Sequence, residues 1–133
     1  MTYFLDTNIF IYAYSEVFKK KKRSFELLGG LTCITSIQVL GEFSNVCFKK
    51  LNFSVENVNT ALKEAMSYCD VITVNEITIL HAVFIKERYG YSYYDCLVIA
   101  AALESKCSIL YTEDMQHGQI IENSLKIINP FID

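Results

Sequence analysis

The chain has no tryptophan, one proline, five glycines and two histidines in 133 residues. So little proline and glycine excludes collagen-like and low-complexity architectures, and with 52% hydrophobic residues the chain can build a core that a disordered sequence cannot. Long apolar runs are missing too. The longest, Cys96 to Leu103, falls far short of the roughly 20 residues that cross a bilayer, so it reads as a buried helix. The segment Met1-Thr2-Tyr3-Phe4-Leu5-Asp6 has no basic region and meets a carboxylate at once, unlike a secretory signal, which points to the cytoplasm. The five cysteines (33, 47, 69, 96 and 107) lack any Cys-x-x-Cys spacing or nearby histidine. Zinc and a disulfide framework are therefore not expected, and the cysteines read as small buried hydrophobes.

A basic balance is also lacking. The net charge of −3 speaks, taken alone, against broad electrostatic gripping of nucleic acid. It is an average over two unlike halves: residues 1–50 carry an excess of three positive charges and residues 51–133 an excess of six negative ones. Most of the basic excess is one run, Lys19-Lys20-Lys21-Lys22-Arg23.

What is present is an alternation of short apolar runs with longer amphipathic ones, without repeat or linker, and this predicts one domain over 1–133. Strands are expected at 2–5, 31–34, 71–74, 108–111 and 126–128. Helices are expected at 9–14 (capped by Thr7 or Asn8), 18–28 (ending at Gly29-Gly30), from Thr35 or Ser36 to 50, and at 54–68, 76–88 and 92–106. Short apolar strands separated by helices call for a parallel sheet covered on both faces. The fold class is α/β, three-layered and Rossmann-like, with about five parallel strands. In such sheets ligands bind beyond the carboxyl ends of the strands. Acids follow two of the strands: Asp6, and Glu113-Asp114.

Four carboxylates stand out, each with a plainer alternative. Asp6 lies between apolar runs, where an ionised group is costly without partners; it is a metal ligand or a helix cap. Glu42 flanks the apolar stripe Val39, Leu40, Phe43, Val46 and Cys47; it is a site acid or a salt-bridged rim residue. Asp95 follows Ser92 at capping-box spacing and precedes the most apolar helix. Asp114 is a site acid or a loop residue. Oxygen donors without a His or Cys cluster select Mg²⁺ or Mn²⁺ over zinc. Tyr91, Tyr93 and Tyr94 offer either base stacking or core packing, and His117 reads as structural or exposed rather than as a proton donor.

Taken together, Phe4-Leu5-Asp6-Thr7-Asn8-Ile9, Gln38-Val39-Leu40-Gly41-Glu42-Phe43, Tyr94-Asp95-Cys96-Leu97-Val98-Ile99-Ala100-Ala101-Ala102 and Leu110-Tyr111-Thr112-Glu113-Asp114 resemble the PIN-domain ribonucleases, in particular the VapC-like toxins of toxin–antitoxin pairs. The resemblance implies a Rossmann-like sheet with an acidic pocket holding one or two Mg²⁺ or Mn²⁺ and hydrolysing RNA phosphodiesters. It maps Asp6, Glu42, Asp95 and Asp114 onto the family's acids, with Thr112 as the supporting hydroxyl and Asn8 beside it. It further implies a homodimer, inhibited by a small antitoxin protein, with no membrane partner. Lys19, Lys20, Lys21, Lys22 and Arg23 are the candidate RNA-binding arm, or a solvated helix face. The competing class is a non-catalytic α/β metal-binding module. A receiver-like version lacks paired acids after the first strand and a late lysine, and an aspartyl phosphatase would need Asp-x-Asp where Asn8 stands.

Overall fold

The computed structural model describes residues 1–30 and 32–132. Strand β1 (Tyr3–Leu5) leads into helix α1 (Thr7–Tyr12), followed by α2 (Phe18–Leu28), β2 (Cys33–Ser36) and α3 (Ile37–Lys49). Then come α4 (Val55–Tyr68), β3 (Asp70–Ile72), α5 (Glu76–Tyr89), α6 (Tyr93–Glu104), β4 (Ile109–Tyr111), β5 (Ile120–Ile121) and β6 (Leu125–Ile128). The expected start of the second strand at Leu31 lies outside the described residues.

The sheet runs β3-β2-β1-β4-β6-β5, parallel except for β5. The five parallel strands expected are present, and a sixth, antiparallel one is added at the edge. The extra one is a two-residue strand returned onto β6 by a turn in which Glu122 and Asn123 both take positive φ (50° and 57°), the hairpin geometry that matches strand twist. At the sheet centre, Tyr3, Phe4 and Leu5 are all buried. Successive strand side chains point to opposite faces, so both faces are covered there. Helices α1 to α4 pack on one another, while α5 pairs with α6, which lies against β2 and β4. Helix α6 is apolar on every side and buries Cys96 through Ala102, as its sequence predicts.

Local chemistry explains most boundaries. Ser36 caps α3 and Ser54 caps α4, each through its hydroxyl to the backbone N–H three residues on. Gly90 closes α5 in the left-handed conformation (φ 78°) that glycine adopts without strain. A Cβ on Gly30 would collide with the Tyr3 hydroxyl, which donates to the Leu27 carbonyl at 2.6 Å and ties β1 to the end of α2.

Two expectations are corrected. The cap of α1 is Asp6, not Thr7 or Asn8, because its carboxylate at the strand end reaches the Thr7 N–H at 2.7 Å. Cys33 and Cys69 are joined by a disulfide, with Cα atoms 5.0 Å apart. The register of β2 on β3 pairs Ile34 with Asp70, so the residue before each strand pair also faces its counterpart. Cys47, Cys96 and Cys107 are free and buried, as expected.

Candidate functional site

The chain leaves β1 to one side of the sheet, through β2 and β3, and later returns as β4 on the other side. The crevice between β1 and β4 is therefore the switch point at which α/β sheets bind ligands. Leu5 pairs with Tyr111, so the next residues, Asp6 and Thr112, are neighbours across the two strands. The Thr112 hydroxyl donates to Asp6 Oδ2 at 2.8 Å, while Asp6 Oδ1 takes the Thr7 N–H. Both polar residues are buried: Asp6 is 4% exposed and Thr112 0%.

The other acids are brought in by separate elements. Glu42 projects from α3, half-buried, with the Thr7 hydroxyl on Oε2 at 3.0 Å and the Gln38 amide on Oε1 at 2.9 Å. Asp95 sits in the first turn of α6, its N–H donated to the Ser92 hydroxyl at 3.3 Å. Asp114 follows β4; its N–H meets Thr112 Oγ1 at 3.2 Å and its carboxylate takes the Asn8 amide at 3.1 Å. Asn8 thus links α1 to the β4 loop, and its own carbonyl oxygen accepts the Glu113 N–H at 3.4 Å.

Asp6 and Asp95 feel the charges of their neighbours. Burial pushes the Asp6 carboxyl up to about 6 despite the donors Thr112 and Thr7, and the charges of Asp114 and Asp95 push the same way. Burial also raises Asp95; the Ser92 hydroxyl opposes it, and Asp114 and Glu42 add repulsion. No cation relieves this. The ion pairs among the described residues are Lys20–Glu113, Arg23–Glu26 and Arg88–Glu122, with the His81 imidazole 3.9 Å from Glu104, and none touches the four. Nor do three or more acidic, His or Cys side chains among the described residues enclose a metal position by themselves. The donor set still fits a hard cation that keeps much of its water, because such an ion needs only one or two protein carboxylates. A crevice of carboxylate oxygens held by neutral donors, with Asp6 buried and no counter-ion among the described residues, has the electrostatics for that purpose.

Several neighbouring residues fall outside the cluster. Glu113, adjacent to Asp114, turns away to the Tyr12 hydroxyl (2.6 Å) and Lys20 (2.9 Å). Burial alone would raise its pKa, but those two donors hold it below the ordinary carboxylate range. In the basic run, Lys19, Lys21 and Lys22 are exposed, but Lys20 is bound to Glu113 and Arg23 donates to the Pro130 carbonyl and Glu26. Tyr91 braces the β4 loop through Gln119 and the Gln116 N–H, and Tyr93 is half-buried. Only Tyr94, 64% exposed, is open, and it shares a shallow depression with Glu42, Gly41 and Asn45. His117 Nδ1 accepts the Asn129 N–H at 3.0 Å, a structural use.

Two positioning residues escape a reading of the sequence for acids: Thr7 and Gln38, which together fix the Glu42 carboxylate. Gln38 carries a signal, since residues four apart share a helix face. Thr7 carries none, because its partner lies 35 residues away.

Comparison with known proteins bears on the same residues. Among curated proteins no sequence match is found. Solved structures do match. A toxin–antitoxin complex from Klebsiella pneumoniae aligns with a TM-score of 0.74 at 17% identity, covering 98% of each chain. VapBC2 from Rickettsia felis, bound to a DNA fragment from its promoter, gives 0.69 at 22% identity over 96% of this chain and 98% of that one. The sarcin–ricin-loop-cleaving toxin VapC20 of Mycobacterium tuberculosis gives 0.66 at 17% identity over 85% and 90%. At these identities the likeness is one of fold. The PIN domain family model matches residues 3–121, a span running from β1 through β5 that contains all four carboxylates, and on that match the chain belongs to the PIN domain family.

Proposed function

We propose that the chain is a Mg²⁺- or Mn²⁺-dependent endoribonuclease, the toxin of a VapBC-type toxin–antitoxin pair, acting in the cytoplasm as a homodimer. The observation that carries this reading is the set of Asp6, Glu42, Asp95 and Asp114 at the switch point of the sheet, with Asp6 buried and none of the four ion-paired among the described residues. Asp6 and Asp95 would hold one or two metal ions directly, with Glu42 and Asp114 acting through water. The bound ion supplies charge neutralisation at the scissile phosphate and acidifies a water into a nucleophile.

The protein's own groups do the rest. Thr112 and the Thr7 N–H orient the two oxygens of Asp6, so its remaining lone pairs aim at a fixed point. Thr7 and Gln38 hold the plane of Glu42, whose free lone pairs accept a proton from the attacking water. Asn8 restrains Asp114 at the mouth. The exposed Lys19, Lys21 and Lys22 attract the RNA backbone, while Lys20 and Arg23, in the same run, are engaged by Glu113 and Glu26. The homodimer is supported by α5, which exposes Ile77, Leu80 and Phe84 along one stripe with Val83 beside it, an apolar surface that a second chain would cover. The fold shared with toxin–antitoxin complexes supports an antitoxin partner.

The test is a melting curve in Mg²⁺, Mn²⁺ and EDTA, followed by incubation with total RNA. A ligand that binds only the folded state raises Tm with its concentration. The expected result is metal-dependent stabilisation and cleavage that EDTA abolishes. Neither stabilisation nor cleavage would instead favour a non-catalytic module.

A further inference from the structure

Beside the acid cluster, between α2 and the segment after β6, lies a cavity of about 450 Å³ lined by Phe18, Lys19, Lys22, Arg23, Pro130 and Phe131. Its size falls in the range of about 300–1,000 Å³ found for pockets that take small organic groups. Its chemistry is unusual for this chain. Four cations line it, counting Lys20, against one acid, Glu26, which Arg23 already neutralises at 3.2 Å. Lys19 and Lys22 have no ion-pair partner among the described residues and are exposed. Phe18, at the head of α2, is 75% exposed and leaves a ring face open at the rim of the cavity. On the opposite wall Phe131 stands edge-on to Tyr12, ring centres 4.8 Å apart, with Lys20 Nζ 4.2 Å from the Tyr12 ring centre and 5.6 Å from that of Phe131.

The cavity is wired to the acid cluster. Lys20 binds Glu113, Glu113 is bonded through its N–H to Asn8, and Asn8 holds Asp114. One ion pair and two hydrogen bonds thus connect the cavity lining to Asp114. Cations spaced along one helix with an exposed aromatic ring form the combination that tracks a phosphate backbone while stacking its bases. Resting on the ribonuclease reading above, we infer that the α2–Pro130 cavity is a single-stranded RNA subsite, with Lys19 and Lys22 on backbone phosphates and Phe18 stacking on a base a short distance along the strand from the cleaved bond. The Lys20–Glu113 pair forms the wall between this subsite and the acids, keeping Lys20 from neutralising the carboxylates.

The test measures binding of a fluorescent single-stranded oligoribonucleotide by anisotropy over a salt series, in Mg²⁺, with the Asp6→Asn protein and, as a second cleavage-deficient background, Asp95→Asn. Each phosphate contact on a single strand contributes about 0.7 to the slope of log K against log salt. Lys19→Gln/Lys22→Gln is therefore expected to reduce the slope by about 1.4. Phe18→Ala is expected to weaken binding about tenfold with the slope unchanged, as loss of one stacked base does. A control pair on other surfaces, Lys63→Gln/Lys126→Gln, is expected to move the slope by less. Equal loss in the control pair, or no loss in either set of variants, overturns the subsite. So does lysine-dependent binding of a polyglutamate peptide where the oligoribonucleotide does not bind, which would make the cavity a protein-docking site. Cleavage by the wild type is scored separately. An active wild type with unchanged slopes removes the subsite alone, and an inactive wild type with the reduced slope removes the ribonuclease reading and leaves an RNA groove.

Discussion

Two neighbouring acids on one loop meet opposite fates. Glu113 is closed off by Lys20 and Tyr12, with its charge balanced within the fold; Asp114, one residue on, is held by a neutral amide in a crevice with three other carboxylates. A similar contrast separates other acids. Glu26, Glu113 and Glu122 each have a cationic partner, whereas among the described residues Asp6, Glu42, Asp95 and Asp114 have only hydroxyls, amides and backbone N–H groups. The difference teaches which acids are structural. A pair neutralised in place adds little stability and needs nothing else. A buried carboxylate without a counter-charge, as Asp6 is, costs stability until a cation from solution arrives, and that cost marks a site.

The largest break in this contrast is Asp6→Asn, which removes the most buried of the unpaired acids. It should lower metal-dependent RNA cleavage by about a thousandfold or more, since a metal site contributes several kcal/mol of transition-state stabilisation and each factor of ten is worth about 1.4. Retention of wild-type cleavage by a folded variant would show that the contrast has no catalytic meaning.

The next effect is one of pH on the metal-free protein. Asp6 is raised from an ordinary 3.8 to about 6 in the folded state, so ionising it costs the fold about 3 kcal/mol. That cost is fully present above about pH 6, fades as pH falls through 6 and is gone below 3.8. In EDTA, Asp6→Asn should therefore be more stable than the wild type by about 3 kcal/mol at pH 7.5, and the gap should close near pH 4. Urea denaturation at the two pH values checks this, and a gap that widened in acid would contradict it.

Smaller effects belong to the residues that only aim the acids. Gln38→Met or Thr7→Val should lower cleavage by about 10- to 100-fold while leaving the Tm within a few degrees, because supporting shells tune a metal site rather than create it. A joint variant falling well short of the product of the two single losses would show that both act through Glu42. Smallest is Glu113→Gln, on the balanced side of the comparison. Its pair with Lys20 is about a third exposed, so its loss should cost less than about 1 kcal/mol in thermal unfolding and leave metal-induced stabilisation intact.

The sequence made some of this legible because periodicity and position suffice for it. Asp6 and Asp114 could be picked out as strand-end acids because β1 and β4 are short apolar runs that stop at a polar residue. Asp95 could be placed at a helix head because Ser92 and the apolar run behind it both mark that boundary. Side-chain direction in a loop was not legible: that Glu113 turns outward is decided by Lys20 and Tyr12, 93 and 101 residues away. The disulfide depends on the register between β2 and β3, which no local pattern encodes. Strand β5 is two residues long, and its hairpin turns at Glu-Asn rather than at the Asn-Gly that advertises such a turn.

Helix α6 also has a mechanical side. Asp95 is carried at the head of a rod whose shaft, from Cys96 to Ala102, is enclosed all round, Ala100, Ala101 and Ala102 included. A protein interior packs like a crystal and does not absorb an added methyl group locally. A larger side chain at Ala101 would therefore slide or tilt the rod and carry Asp95 with it, though the two residues are separated by about 9 Å of helix. The aim of that carboxylate is set from inside the core, by residues with no chemistry of their own.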